Sequence, residues 1–271
     1  MHWPDIRWRP AGTVRSPVTS YVLCGTPRSG STLLCGMLAA SGVAGRPNSY
    51  FRPEDVVDWA AAWGVPQPHD LNSADFECAY LEAMRREGRA GTGVFGLRLM
   101  WDSVAEAGRR LNRALGADRD IGQAIEAAFG PTLYVHVSRK DKVAQAVSLV
   151  RAEQSGFWHL AADGTVLEGE ETPRPVSYDR ARLGEVTERL RTDDAAWVAF
   201  FQERRIRPLR LVYETASADP IAALAKVLAA LGLDPELARH VAVPTARMAD
   251  EVSREWTQRF HKESGGRGAR V

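Results

Sequence analysis

YVLCGTPRSGSTLLCGMLAASG, Tyr21 to Gly42, is the stretch on which the fold turns. Tyr21, Val22, Leu23 and Cys24 form a short apolar run that suits a buried strand, and Gly25 and Gly30 let the following backbone curl. At Ser31 and Thr32 the spacing becomes helical, with Leu33, Leu34, Met37 and Leu38 as its stripe and Gly42 as its stop. In such a strand, loop and helix, successive N–H groups point into one concavity and the positive end of the helix dipole faces the same spot. An anion site is therefore expected from Thr26, Pro27, Arg28, Ser29, Gly30, Ser31 and Thr32. A plain strand-to-helix turn capped by Ser31 and Thr32 is the alternative. The glycines, hydroxyls and cation falling together at one spacing favour the anion.

From Gly25 to Thr32 the spacing is that of the nucleotide P-loop, G-x-x-x-x-G-K-[ST], except that Ser31 stands where the lysine belongs. That lysine reaches the β and γ phosphates while the next hydroxyl holds magnesium, so its loss argues against a triphosphate donor. The cation has moved into the loop as Arg28. A planar, permanently charged guanidinium there can span a phosphate and a group being transferred from it.

TPRSGST resembles the 5′-phosphosulfate loop of sulfotransferases that use 3′-phosphoadenosine 5′-phosphosulfate, PAPS. Three blocks, Thr26 to Gly45, Tyr134 to Trp158 and Arg247 to Phe260, resemble the bacterial trehalose 2-sulfotransferase family and its relatives that sulfate lipopolysaccharide. The resemblance implies PAPS as donor, 3′,5′-bisphosphoadenosine (PAP) as product, no metal, a carbohydrate or glycolipid acceptor, and a homodimer. It also implies that Arg139 and Ser148 bind the 3′-phosphate and that the block around Arg247 closes over the nucleotide. The departure lies in the base. In the family a glutamate follows the G-V-A-G-x-P-x pattern and takes the acceptor proton, whereas Gly42 to Asn48 keep the pattern here and Ser49 follows. A serine hydroxyl is no more basic than the acceptor's, so the base is sought nearby. Of Glu54, Asp55, Asp58 and the more distant His69, Glu54 has the best combination of nearness and reach; an acid placed to favour a helix dipole is the plainer reading of it.

The chain has 271 residues and a net charge of +1, with 45% hydrophobic and 25% charged residues. That composition suits one large α/β domain and gives no global pull toward nucleic acid or an anionic membrane, so any anion site is local. Three cysteines, Cys24, Cys35 and Cys78, lack C-x-x-C spacing and read as reduced thiols rather than metal ligands. No run approaches a membrane span and the N-terminus lacks a signal-peptide core, which leads us to expect a cytoplasmic protein.

Outward from the loop, residues 1–19 read as a surface arm, with Trp3 and Trp8 as anchors. Pro53 suits the first position of a helix with Val56, Trp59, Ala60 and Trp63 as its stripe. A helix over Ala74 to Glu87, ended by Gly88 to Gly93, precedes a strand from Val94 to Trp101. Arg98 interrupts that strand; it either reaches solvent at the strand end or faces the anion or acceptor site. Residues 102–130 carry little pattern. Leu133 to Val137 is a buried-type strand with Ser138, Arg139 and Lys140 at its carboxyl end, where open α/β sheets bind ligands, and Asp141 caps a helix with Val143, Val147 and Val150 inward. Residues 156–179 read as a long loop, an acceptor lid whose Trp158 and His159 can stack on and hydrogen-bond a sugar. A helix over Leu183 to Gln202, a strand from Ile206 to Glu214, a helix capped by Asp219, and a terminal helix with Val252, Trp256 and Phe260 on one face complete the chain, leaving a frayed tail at 264–271. These alternating elements predict a three-layer α/β domain, P-loop-like, with a mainly parallel sheet flanked by helices. The expected activity is sulfuryl transfer from PAPS to a hydroxyl, with Arg28 as the catalytic cation and Ser49, Arg98, Trp158 and His159 on the acceptor side. An atypical P-loop kinase is disfavoured because no aspartate ends the Leu133 strand; a nucleotide-binding regulator without catalysis stays open.

Overall fold

In a computed structural model of the chain, residues 18–66, 73–160, 166–169, 172, 174–243 and 251–265 are described. In chain order the elements are β1 (Ser20–Gly25), α1 (Ser31–Ala40), a 3-10 turn (Pro53–Asp55), α2 (Val56–Ala62), α3 (Ala74–Arg89) and β2 (Phe95–Met100). A 3-10 turn (Trp101–Ser103), α4 (Val104–Leu115), α5 (Ile121–Phe129), β3 (Thr132–Ser138), α6 (Lys142–Ser155), β4 (Phe157–Leu160) and β5 (Val166–Gly169) follow. The chain ends with α7 (Arg180–Glu203), β6 (Leu209–Val212), the single turn α8 (Tyr213–Ala216), α9 (Pro220–Ala230), a 3-10 turn (Pro235–His240) and α10 (Glu251–Gly265).

The sheet is parallel throughout, in the order β2-β1-β3-β6, and its two faces follow from the period of two along each strand. Val22 and Cys24 of β1 and Phe95, Leu97 and Leu99 of β2 point into a core shared with α2, α3, α4, α5 and the aromatic end of α7. Tyr21 and Leu23 point the other way, into a core shared with α1 and α9. Sheet strands buried on both faces are why these runs are nearly all apolar. A third cluster joins α6, α7 and α10 through Val147, Leu183 and Trp256. The expected three-layer, mainly parallel architecture is what the chain adopts.

Side chains of the first residues before five helices close the orphan N–H groups there: Ser73, Asp120, Asp141, Asp179 and Asp219 each accept from an amide two or three residues on. Asp219 followed by Pro220 fixes α9 where the sequence placed it. Three boundaries differ from expectation. Gly88 lies inside α3, not beyond it, and Ala90 closes the helix in the left-handed region (φ 47°). A Cβ at Gly88 would come within 2.4 Å of the Phe95 ring, so the glycine serves close packing of α3 on β2. The expected strand through Glu214 stops at Val212, because Tyr213 turns into α8 and the Glu214 carboxylate accepts from the Lys140 and Asp141 amides at 3.0 and 3.1 Å. The expected long loop at 156–179 contains the antiparallel hairpin β4–β5, with Phe157 opposite Gly169; register shifts along it explain why no clean alternation marked it. Val252 is 37% exposed and leaves the inward face of α10 to Trp256 and Phe260. Most of the N-terminal arm, His69, Arg247 and the tail from 266 on lie outside the described residues.

Candidate active site

Three parallel carboxyl ends meet at the loop after β1. Gly25 pairs with Met100 of β2 on one side and Val137 of β3 on the other. The loop is held from below: the Trp197 indole donates to Gly25 O at 2.9 Å, and Gln145 Nε2 donates to Thr26 Oγ1 at 2.8 Å and to Pro27 O at 2.6 Å. Backbone curl comes from two left-handed residues, Arg28 at φ 63° and Gly30 at φ 89°. A Cβ at Gly30 would meet the Tyr213 ring at 2.8 Å, so the loop lies flat on that tyrosine. Unlike α3, α5, α6, α7 and α9, α1 has no side-chain cap at its N-terminus. Its leading amides thus meet the concavity with no side chain of the N-cap in the way, which is the arrangement an anion requires. Ser31 is buried, and the Ser29 hydroxyl is buried without a hydrogen-bond partner among the described residues.

Arg28 spans this concavity. Its Nε donates to Ser148 Oγ on α6 at 2.9 Å and its Nη1 to the Trp158 carbonyl in β4 at 2.8 Å. Arg139, at the end of β3, donates to Arg28 O at 3.4 Å and lies over the Tyr213 ring, 4.4 Å from its centroid. So Arg139 and Ser148, nine residues apart in sequence, converge on a single residue, Arg28. Tyr213 was missed by sequence reasoning because it was read as strand; the signal was the break in apolar alternation at Tyr213–Glu214. Beside it a shallow apolar cleft runs between α1 and α9, lined by Leu33, Met37, Tyr213, Pro220 and Ala223 among others.

A second cation approaches from β2. Arg98 points to the α1 side of the sheet, where its Nε donates to Ser49 Oγ at 2.8 Å and its Nη1 to Thr32 Oγ1 at 2.9 Å. Ser49 is brought there because Asn48 bridges to Leu97 and its carbonyl accepts from Arg98 N at 3.0 Å, so the segment after α1 runs along β2. Cys35, one turn into α1, has its thiol pushed up to about 11 by burial, with the Arg98 charge pulling the other way. Glu54 stands apart. It is paired with Arg52 (3.5 Å), its side chain is 70% exposed, and no hydrogen bond or ion pair joins it to Arg28, Ser49 or Arg98. Trp158 packs at the rim of the α6–α7–α10 cluster, and His159 is described only by its backbone place in β4. No group of three His, Cys, Asp or Glu side chains among the described residues is arranged to hold a metal.

The geometry is thus an anion nest approached by two guanidinium groups, Arg28 and Arg98. A sequence profile for the Stf0 sulphotransferase matches residues 20–263. The chain belongs to the Stf0 sulphotransferase family. It is a sulfotransferase. Two similar curated relatives are the trehalose 2-sulfotransferases of Mycobacterium tuberculosis (strain ATCC 35801 / TMC 107 / Erdman), 32% identical over 91% of this chain and 96% of that protein, and of Mycolicibacterium smegmatis, 30% identical over the same shares. Among solved structures, a sulfotransferase from Alicyclobacillus acidocaldarius aligns over 92% of this sulfotransferase and 93% of its own chain, at 14% identity and a TM-score of 0.44. No helix among the described residues is long and apolar enough to cross a membrane.

Proposed function

We propose that this sulfotransferase takes the sulfuryl group from PAPS and places it on a hydroxyl of a carbohydrate, free or carried on a glycolipid or lipopolysaccharide. The observation that carries the reading is the nest between Thr26 and Thr32 with Arg28 across it and no lysine at Ser31. PAPS fits what is there: the uncapped N-terminus of α1 suits the 5′-phosphate, and Arg139 and Ser148 stand ready for the 3′-phosphate. The apolar cleft beside Tyr213 gives the nucleobase a wall. The donor supplies an activated sulfuryl group; the protein's part is to hold it and to balance charge.

In this mechanism the amides of Thr26 and of residues 28–32, with the Ser31 and Thr32 hydroxyls, hold the 5′-phosphate. The Arg28 guanidinium stabilises charge that gathers on the bridging oxygen as the S–O bond breaks. Ser148 accepts from Arg28 Nε, which leaves its own O–H to donate to the 3′-phosphate, so the nucleotide and the loop cation share one hydroxyl. Glu54 is assigned as the base on its nearness in sequence to Ser49 and the length of its side chain, which is exposed and paired with Arg52. Its ion pair with Arg52 has to open for this. Trp158 and His159 in the hairpin, and Arg247 beyond the described residues, complete the acceptor and nucleotide contacts in this reading, in a cytoplasmic homodimer. The test is transfer of radiolabelled sulfate from PAPS into trehalose, lipopolysaccharide fragments and simple glycosides, with ATP as control donor. Label in no acceptor, together with no binding of PAP, would overturn it.

A further inference from the structure

The charge around Arg98 goes beyond what a sulfuryl donor needs. Its side chain is half-buried, on the sheet face that packs against α1, and among the described residues it donates only to two hydroxyls, those of Ser49 and Thr32. Among the described residues no carboxylate lies within 4 Å of it, although ion pairs are plentiful elsewhere: Arg110 with Glu77 at 3.2 Å, Arg182 with Glu153 at 3.0 Å, Lys142 with Asp194 at 3.0 Å. The nearest structural dipole makes matters worse, since Thr32 is the second residue of α1 and the helix end there is itself positive. A guanidinium taken partly out of water with no counter-charge, beside a positive helix end, is costly and calls for an anion in the finished complex.

The donor accounts for only part of this. The donor's 5′-phosphate and its sulfuryl group carry one negative charge each; the nest amides and the α1 N-terminus already face the phosphate, and Arg28 already reaches across the loop from the hairpin side. Arg98 comes from the opposite side, beside Ser49, on the stretch that follows α1 and flanks β2. We infer that Arg98 and Ser49 form a subsite for an oxyanion on the acceptor, so that the acceptor is an acidic carbohydrate bearing a carboxylate or phosphate near the hydroxyl that is sulfated. The planar guanidinium offers two N–H groups to such an oxyanion by exchanging its bonds to Ser49 and Thr32, and the Ser49 O–H donates a third. This rests on the sulfotransferase assignment with a carbohydrate acceptor, and sets its charge.

The experiment compares three matched acceptors, methyl glucoside, methyl glucuronide and methyl glucoside 6-phosphate, both as acceptors of labelled sulfate from PAPS and as ligands of the PAP-loaded protein by calorimetry. The acidic pair should be favoured about ten- to a hundredfold in kcat/KM and in affinity, the span of a charge-assisted hydrogen bond. Whichever of the two is the better ligand tells carboxylate from phosphate. Arg98→Gln should erase the preference, and Ser49→Glu, which sets a carboxylate against the guanidinium, should reverse it. Equal use and equal binding of neutral and acidic glycosides would overturn the subsite. So would an Arg98→Gln variant that loses both to the same degree, which would give Arg98 to the sulfuryl group alone. Failure of PAP to bind would instead count against the donor assignment, and the glycoside titrations without PAP would still read the subsite.

Discussion

Arg28 is the residue on which both geometry and chemistry converge, and it sits in the left-handed region at φ 63° while bonded to Ser148 and the Trp158 carbonyl. A non-glycine residue there costs about 1 kcal/mol of backbone strain. Arg28→Gly removes the guanidinium and relieves that strain together, so the variant should fold with stability within about 1 kcal/mol of the parent. Its turnover should fall by a hundredfold or more, the scale of losing one transition-state donor of roughly 3 kcal/mol. Steady-state kinetics beside a urea melt would check this; near-normal turnover in the folded variant would leave the arginine a structural role. Glu54 gives the converse case. As the base, its change to Gln should cut kcat by roughly a hundredfold with PAP affinity untouched. Were it serving only the acidic first turn and the Arg52 pair, kcat would stay and calorimetry would register no more than a small loss of stability.

Between elements, one polar clamp stands out: Asp194 on α7 bonds His136 Nε2 of β3 at 3.1 Å and Lys142 Nζ of α6 at 3.0 Å. Burial pushes the Asp194 carboxyl up, but the hydrogen bonds from His136 and Lys142 outweigh it and hold the group below the usual carboxylate range. A group depressed on folding adds stability that is present above its unfolded value, near 4, and is lost as pH falls through the folded value. Asp194→Asn should therefore cost about 3 kcal/mol at neutral pH and flatten the acid limb of the stability curve below about pH 4, as read by urea melts across pH. An unchanged acid limb would mean that another carboxylate dominates there. The loop itself has a similar element-level dependence, since Gly30 must turn over the Tyr213 ring. Gly30→Ala should abolish PAP binding in a calorimetric titration, because a Cβ within 2.8 Å of that ring forces the loop off its seat at a position already at φ 89°. Retained PAP binding would show that the tyrosine yields.

At the scale of the molecule, four parallel strands bring three loops to one edge, and the proposed donor site is their sum. Donor binding should then stabilise the whole fold. PAP at a hundred times its dissociation constant adds about 2.7 kcal/mol, which for a domain of this size raises Tm by about 5 °C. The shift should appear without magnesium and be absent with ATP at the same concentration, since Ser31 replaces the lysine that a triphosphate needs. A magnesium-dependent shift with ATP in a thermal scan would contradict the donor assignment.

Much of this was legible in the sequence because it is local. The run from Tyr21 to Gly42 specifies strand, nest and helix within one supersecondary unit, and Asp219-Pro220 specifies where α9 begins. Apolar periodicity likewise marked β2, β3 and the inward face of α6, because strands and helices buried on the core can hardly be spelled otherwise. What the sequence left open was set by contacts between distant segments. The hairpin β4–β5 has register shifts in place of alternation, and β6 gives way to α8 where Glu214 is captured by amides 74 and 73 residues earlier. The pairing of Arg98 with Ser49 crosses 49 residues, and that of Arg28 with Ser148 crosses 120. Spacing along a chain carries no record of which side chains a parallel sheet will set face to face; the register of the strands and the helices packed on them decide it.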